Sequence, residues 1–148
     1  MRKRTPRVIL GVFAVAVLAS PIARADGFVF VRSAQNPVTS LSKTDVRKLF
    51  TGQAKQWRSG KVFQGVIGEI DSPEFVWLAT AIFDTTPRDL ITRIKQEIFR
   101  GEMKRPLLAK SSKECFEIVL KIDGALCLAS ETDARSLPQG VELLPLTD

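Results

Sequence analysis

The 148-residue sequence contains no histidine, no tyrosine, only two cysteines and only two methionines. The missing histidine removes the commonest general base and metal ligand, and with it every Ser-His and Cys-His nucleophile arrangement. The cysteines, Cys115 and Cys127, lack the close pairing used by zinc sites, so no metal is expected. No glycine-rich phosphate loop of either common spacing occurs, which argues against a nucleotide or any other cofactor. Asp71 with Glu74, and Asp84 with Asp89, are the nearest approach to paired carboxylates. Both pairs fall at helix starts, where the helix dipole favours negative charge. No catalytic residue is nominated, and the inventory points away from an enzyme.

Long apolar runs are also scarce, and the chief one lies at the start of the chain. Arg2, Lys3, Arg4 and Arg7 form a positive head, Val8 to Ala19 is apolar apart from Gly11, and Ala23-Arg24-Ala25 has the small-x-small form of a cleavage site. The alternative, a retained membrane anchor, needs about 20 apolar residues. Residues 1–25 therefore read as a signal peptide and 26–148 as the mature domain, exported to the periplasm. The formal net charge of +6 changes meaning on that cut. Five of the 22 basic residues, and none of the 16 acidic ones, precede Asp26, so the mature chain is nearly neutral. The broad basic field of a nucleic-acid binder is absent. In an oxidising compartment Cys115 and Cys127 are either a disulfide or two buried thiols, because sequence does not fix their separation.

The mature residues suit one domain with alternating strands and helices, an α/β three-layer unit with a small mixed sheet and flanking helices. Residues 27–32 read as a strand. In Leu41 to Trp57, Ser42 and Asp45 form a reciprocal capping box, and Val46, Leu49 and Phe50 make one apolar stripe. Gly52 supplies the left-handed stop. Residues 61–70 read as a second strand. Ser72-Pro73-Glu74 opens a largely buried helix reaching about Phe83. Thr86-Pro87-Arg88-Asp89 opens another, ended by Gly101. Residues 102–110 read as a loop, Ser111 and Glu114 as a capping box, 125–129 as a strand covered on both faces, and 141–146 as the last strand.

Two places could hold an anion. At Asp71-Ser72 a strand ends and a helix begins, so free backbone N–H groups converge. Between Arg100 and Lys113, five cations including Arg105 stand against Glu102 alone, and the stretch ends at Ser111-Ser112, again a helix start. Simple capping accounts equally for Ser72 and Ser111, and a solvated surface for the basic stretch. Trp57 and Trp77 read as packing residues.

Several of these segments, in this order, resemble phosphate-type periplasmic solute-binding proteins. The match runs through Asn36-Pro37, then Leu49-Phe50-Thr51-Gly52 with Trp57, then Phe99-Arg100-Gly101 with Pro106, and finally Gly124-Ala125-Leu126. The resemblance implies one lobe of a type 2 periplasmic-binding-protein-like fold, since such receptors close two lobes on a ligand. It places the phosphate-gripping helix start near Asp71-Ser72-Pro73-Glu74. The sequence departs from the family there: only Ser72 matches, Pro73 removes an N–H donor, and Glu74 opposes an anion. The late Gly-Tyr pair is Cys127-Leu128.

The resemblance implies an oxyanion such as phosphate as ligand, held by Asp71, Ser72, Arg105, Ser111 and Ser112, in an ABC transport system. A second copy of the chain could complete the cleft. The alternative is a lobe without ligand, acting as a protein-interaction or sensory module for a membrane transporter or sensor.

Overall fold

A computed structural model gives the structure of residues 27–147. The leader read over residues 1–25 lies outside the described residues.

β1 (Phe28–Ser33) leads to the short β2 (Leu41–Ser42) and then α1 (Lys43–Phe50). The capping box forms as its residues dictate: Asp45 N–H donates to Ser42 Oγ, and Ser42 N–H donates to the Asp45 carboxylate. Val46, Leu49 and Phe50 are buried together. Gly52 sits at φ +75°, and a Cβ there would collide with the carbonyl of Glu102, so the turn needs glycine for both reasons. β3 (Gln64–Ile67) is shorter than the expected 61–70 strand. Residues before it fold into a tight hairpin instead, with Trp57 N–H bonded to Lys61 O and Phe63 N–H to Lys55 O.

α2 (Pro73–Trp77) continues through a wider π turn, Leu78–Ile82. Thr80 Oγ1 donates to Val76 O, a back-bond of the kind that disturbs the regular ladder. Phe75, Leu78, Ala79 and Ile82 are buried, whereas Val76 faces outward. α3 (Pro87–Phe99) follows its Thr86 cap. The expected 102–110 loop contains a strand, β4 (Leu107–Leu108), paired parallel to β3 through Val66↔Leu107. α4 (Ser112–Lys121) is capped by Ser111, but the Glu114 carboxylate accepts from Lys110 N–H and not from Ser111.

β5 (Ala125–Ser130), β6 (Val141–Leu144) and β7 (Leu146–Thr147) complete the fold. Pro145, which has no N–H to donate, separates the last two. The five-stranded sheet runs β4-β3-β5-β1-β6. β4, β3 and β5 are parallel, and β1 lies antiparallel to both β5 and β6. β2 and β7 form a separate parallel pair.

Alternation along the strands builds a core on each face. Phe30, Ile67, Leu126 and Leu128 meet α1, α2 and α3 on one side. Val31, Val66, Ala125, Cys127 and Ala129 meet α4 on the other. This is a three-layer α/β unit, as alternating elements require. Cys115 and Cys127 are joined by a disulfide, with Cα atoms 5.9 Å apart, and it ties α4 to β5.

Candidate functional site

In open α/β sheets, ligands collect in the crevice beyond the carboxyl ends of the strands. Here that crevice lies past β3 and β5, and α2 and α4 begin at its two sides. Gly68, Glu74 and Phe75 form one wall, Ala109 and Ser111 the other, and Cys127 and Leu128 the floor. Its enclosed volume is about 10 Å³. That is room for about one water.

The hydroxyls named from the sequence are already engaged. Ser72 Oγ accepts from Phe75 N–H at 3.2 Å and donates to Glu69 O at 2.6 Å. Gly68 makes this possible, since a Cβ there would occupy the position of Ser72 Oγ. Ser111 Oγ accepts from Glu114 N–H at 3.2 Å. Ser112 is buried, and its Oγ accepts from Ser130 N–H at 3.3 Å, pinning the start of α4 to the end of β5. Asp71 and Arg105 are exposed, and the Arg105 carbonyl accepts from Gln64 Nε2. Of the five candidates, Ser111 alone lines the enclosed crevice, while Ser72 caps the wall beside it. The site offers hydroxyls and exposed cations, but no activated nucleophile and no base with an orienting partner.

Similarity to solved structures lies where this geometry leads. No protein-family model matches the sequence, and no curated protein matches it. Among solved structures, an ABC-type phosphate transport receptor from Vibrio cholerae is 20% identical, at a TM-score of 0.53. PstS from Borrelia burgdorferi is 14% identical at 0.59, and a possible phosphate binding protein from Planctomyces limnophilus is 10% identical at 0.62. Each match covers 82% of this chain but only 42–47% of the other. The fold is that of a single lobe of a phosphate-type substrate-binding protein. At these identities the likeness speaks for the fold, and the chain spans less than half the length of the structures it matches.

Among the described residues, no cluster of three or more His, Cys, Asp or Glu side chains could hold a metal. No described helix is long and apolar enough to cross a membrane.

At the other end of the sheet the structure holds a polar network that sequence reading missed. Arg32 is 5% exposed on β1. Its Nη1 donates to the carbonyls of Ser33 and Asn36, and its Nη2 pairs with Glu142 at 2.9 Å. Asn36 is fully buried and accepts through Oδ1 from Val38 N–H and Ser59 Oγ. Trp57 Nε1 donates to Gly124 O at 2.8 Å nearby in the chain's fold, beside Phe63. One signal was available. Arg32 occupies the same side of β1 as Phe30, so a charge stood at a core-facing position.

Proposed function

We propose that this chain is an exported, receptor-like component of a phosphate-type ABC uptake system and supplies one jaw of the receptor. The leader at residues 1–25 is removed, and the 26–148 domain works in the periplasm as a binding protein without catalysis. An oxyanion is held between the crevice and a second jaw, by the starts of α2 and α4 with the exposed Lys110 and Lys113, while Arg105 stands at the start of β3, away from the crevice. The observation carrying this reading is the meeting of two serine-capped helix starts at the carboxyl ends of β3 and β5, in a lobe that matches less than half of known phosphate receptors. Helix starts present N–H groups to anions. Isothermal titration of the purified protein with phosphate and sulfate tests it. Saturable heat at or below millimolar ligand is expected, and an athermal, shift-free titration, followed also by amide chemical shifts at Ser111 and Ser112, removes the oxyanion.

A second reading has its own observation. The crevice of about 10 Å³ and the internally bonded Ser72 and Ser112 leave little for a free anion, and Glu74 stands in its wall. On this reading the lobe carries no ligand and serves as an interaction or sensory module for a membrane transporter or sensor. Cross-linking in the intact envelope, with recovery of a transporter or sensor ectodomain from cells lacking any phosphate effect, favours it.

A further inference from the structure

Charge is distributed unevenly about the crevice. The segment leaving β3 toward α2 carries Glu69, Asp71 and Glu74 and no cation. The segment from β4 into α4 carries Lys110 and Lys113, with no acid before Glu114, whereas Lys104 and Arg105 precede β4 and lie beside the start of β3. Among the described residues, ion pairs form elsewhere, and none of Glu69, Asp71, Glu74, Lys110 and Lys113 has an opposite charge within 4.0 Å. α2 packs on the face of Phe30 and Leu128 and α4 on the face of Val31 and Cys127, so the acidic and basic arms leave the sheet on opposite sides. Each segment also exposes an apolar side chain, Ile70 beside Glu69 and Asp71 at 45% and Leu108 on β4 at 56%.

We infer that a second copy of this chain docks on this end of the sheet about a twofold axis through the crevice, the acidic arm of each copy against the basic arm of the other. A twofold axis exchanges the two arms, so a surface that is acidic on one side and basic on the other complements itself. A uniformly basic rim would repel its own copy, and a partner of one charge would satisfy only half of this one. Ile70 and Leu108 supply the apolar centre that such an interface needs. The contact is face to face and does not extend the sheet. β4 is two residues long, Pro106 precedes it, and the Lys110 amide is already donated to Glu114. The inference rests on the one-jaw reading above and deepens it: the second jaw is the same chain, and two crevices close on each other.

Sedimentation equilibrium of the protein purified from the periplasm of expressing cells tests this. A dimer is expected, with a dissociation constant that rises about tenfold or more between low and roughly 0.5 M salt, because exposed charges are screened. Lys110→Glu with Lys113→Glu weakens it by a similar factor, as does Glu69→Lys with Asp71→Lys. An equimolar mixture of the two variants regains association near the parent's strength, since each arm again meets its opposite. Misfolded chains would not recover on mixing. A monomer at ~100 µM in low salt, far above the range of specific association, overturns the inference. So does a dimer indifferent to salt and to both reversals. Phosphate titration stays separate. A charge-dependent dimer that ignores phosphate upholds the interface and removes the oxyanion, and a monomer that binds phosphate does the reverse.

Discussion

At the amino end of β5, polar groups are buried and for the most part bonded within the chain; at its carboxyl end, the charged groups are exposed, with no opposite charge within 4.0 Å among the described residues. Arg32, Asn36 and Trp57 lie at 5%, 0% and 3% exposure, and each makes hydrogen bonds across distant segments. Glu69, Asp71, Lys110 and Lys113 are exposed, and their side chains touch no opposite charge among the described residues. A buried charge needs hydrogen-bond partners, and Arg32 has them at both Nη atoms, although its Nε and Asn36 Nδ2 have none; the first end is committed to holding the fold. Solvated charges cost the fold little and remain available to a partner. The difference separates a buried, bonded end from an exposed, charged one, although both are rich in polar residues.

The comparison can be broken or sharpened by substitution, with stability read from chemical denaturation. The largest loss is expected between the two ends. Replacing Cys115 and Cys127 together by serine opens a loop of 12 residues' separation. It should cost about 3 kcal/mol through the freed unfolded chain. Next comes Arg32→Ala, which takes the side-chain donor from the Asn36 carbonyl and one of two donors from the Ser33 carbonyl, and should cost about 2.5 kcal/mol. Its half-exposed partner tells the other half of the story: Glu142→Gln should cost under about 1 kcal/mol, because that carboxylate keeps its water. If the two losses were equal, the burial argument for this end would fail.

Trp57→Phe keeps the packing against Phe63 but leaves Gly124 O with one donor, Gln64 N–H, in place of two, an expected loss of about 1 kcal/mol. A loss near zero would show that water takes the place of the indole. At the crevice end, Ser72→Ala removes a cap and should cost about 1 kcal/mol. The smallest effect belongs to Lys110→Ala with Lys113→Ala, under about 0.5 kcal/mol in stability, while the salt dependence of self-association disappears. A large stability loss there would show that these lysines belong to the fold and not to a partner.

Much of the fold could be read from local rules. The capping box at Ser42 and Asp45, the Thr86-Pro87 start of α3 and the glycine stop at Gly52 depend on residues within a few positions of one another. β5 was legible because a strand covered on both faces is apolar throughout. β4 was not legible, since Leu107 and Leu108 are two exposed residues that become a strand only by bonding to β3. The 61–70 strand was overextended because its first part pairs locally with residues 55–57, a choice between hydrogen-bond partners that side-chain alternation does not record. The crevice was legible at Ser72 and Ser111 as helix starts. That Ser112 turns inward to Ser130 was not, because serine at a helix start has the same sequence pattern whether its hydroxyl faces a guest or a neighbouring strand.

Short-range chemistry thus determined where the helices of this chain begin and end, which stripes are apolar, and that no histidine-based catalysis is available. Tertiary structure alone decided that Cys115 meets Cys127, that a buried Arg32 pairs with the half-exposed Glu142, and that an acidic arm and a basic arm flank one crevice. The physical reason is separation along the chain. Caps and stripes are fixed by neighbours a turn away, whereas a disulfide, a long-range ion pair and a two-signed rim exist only once distant segments have been brought together by the packing of the sheet.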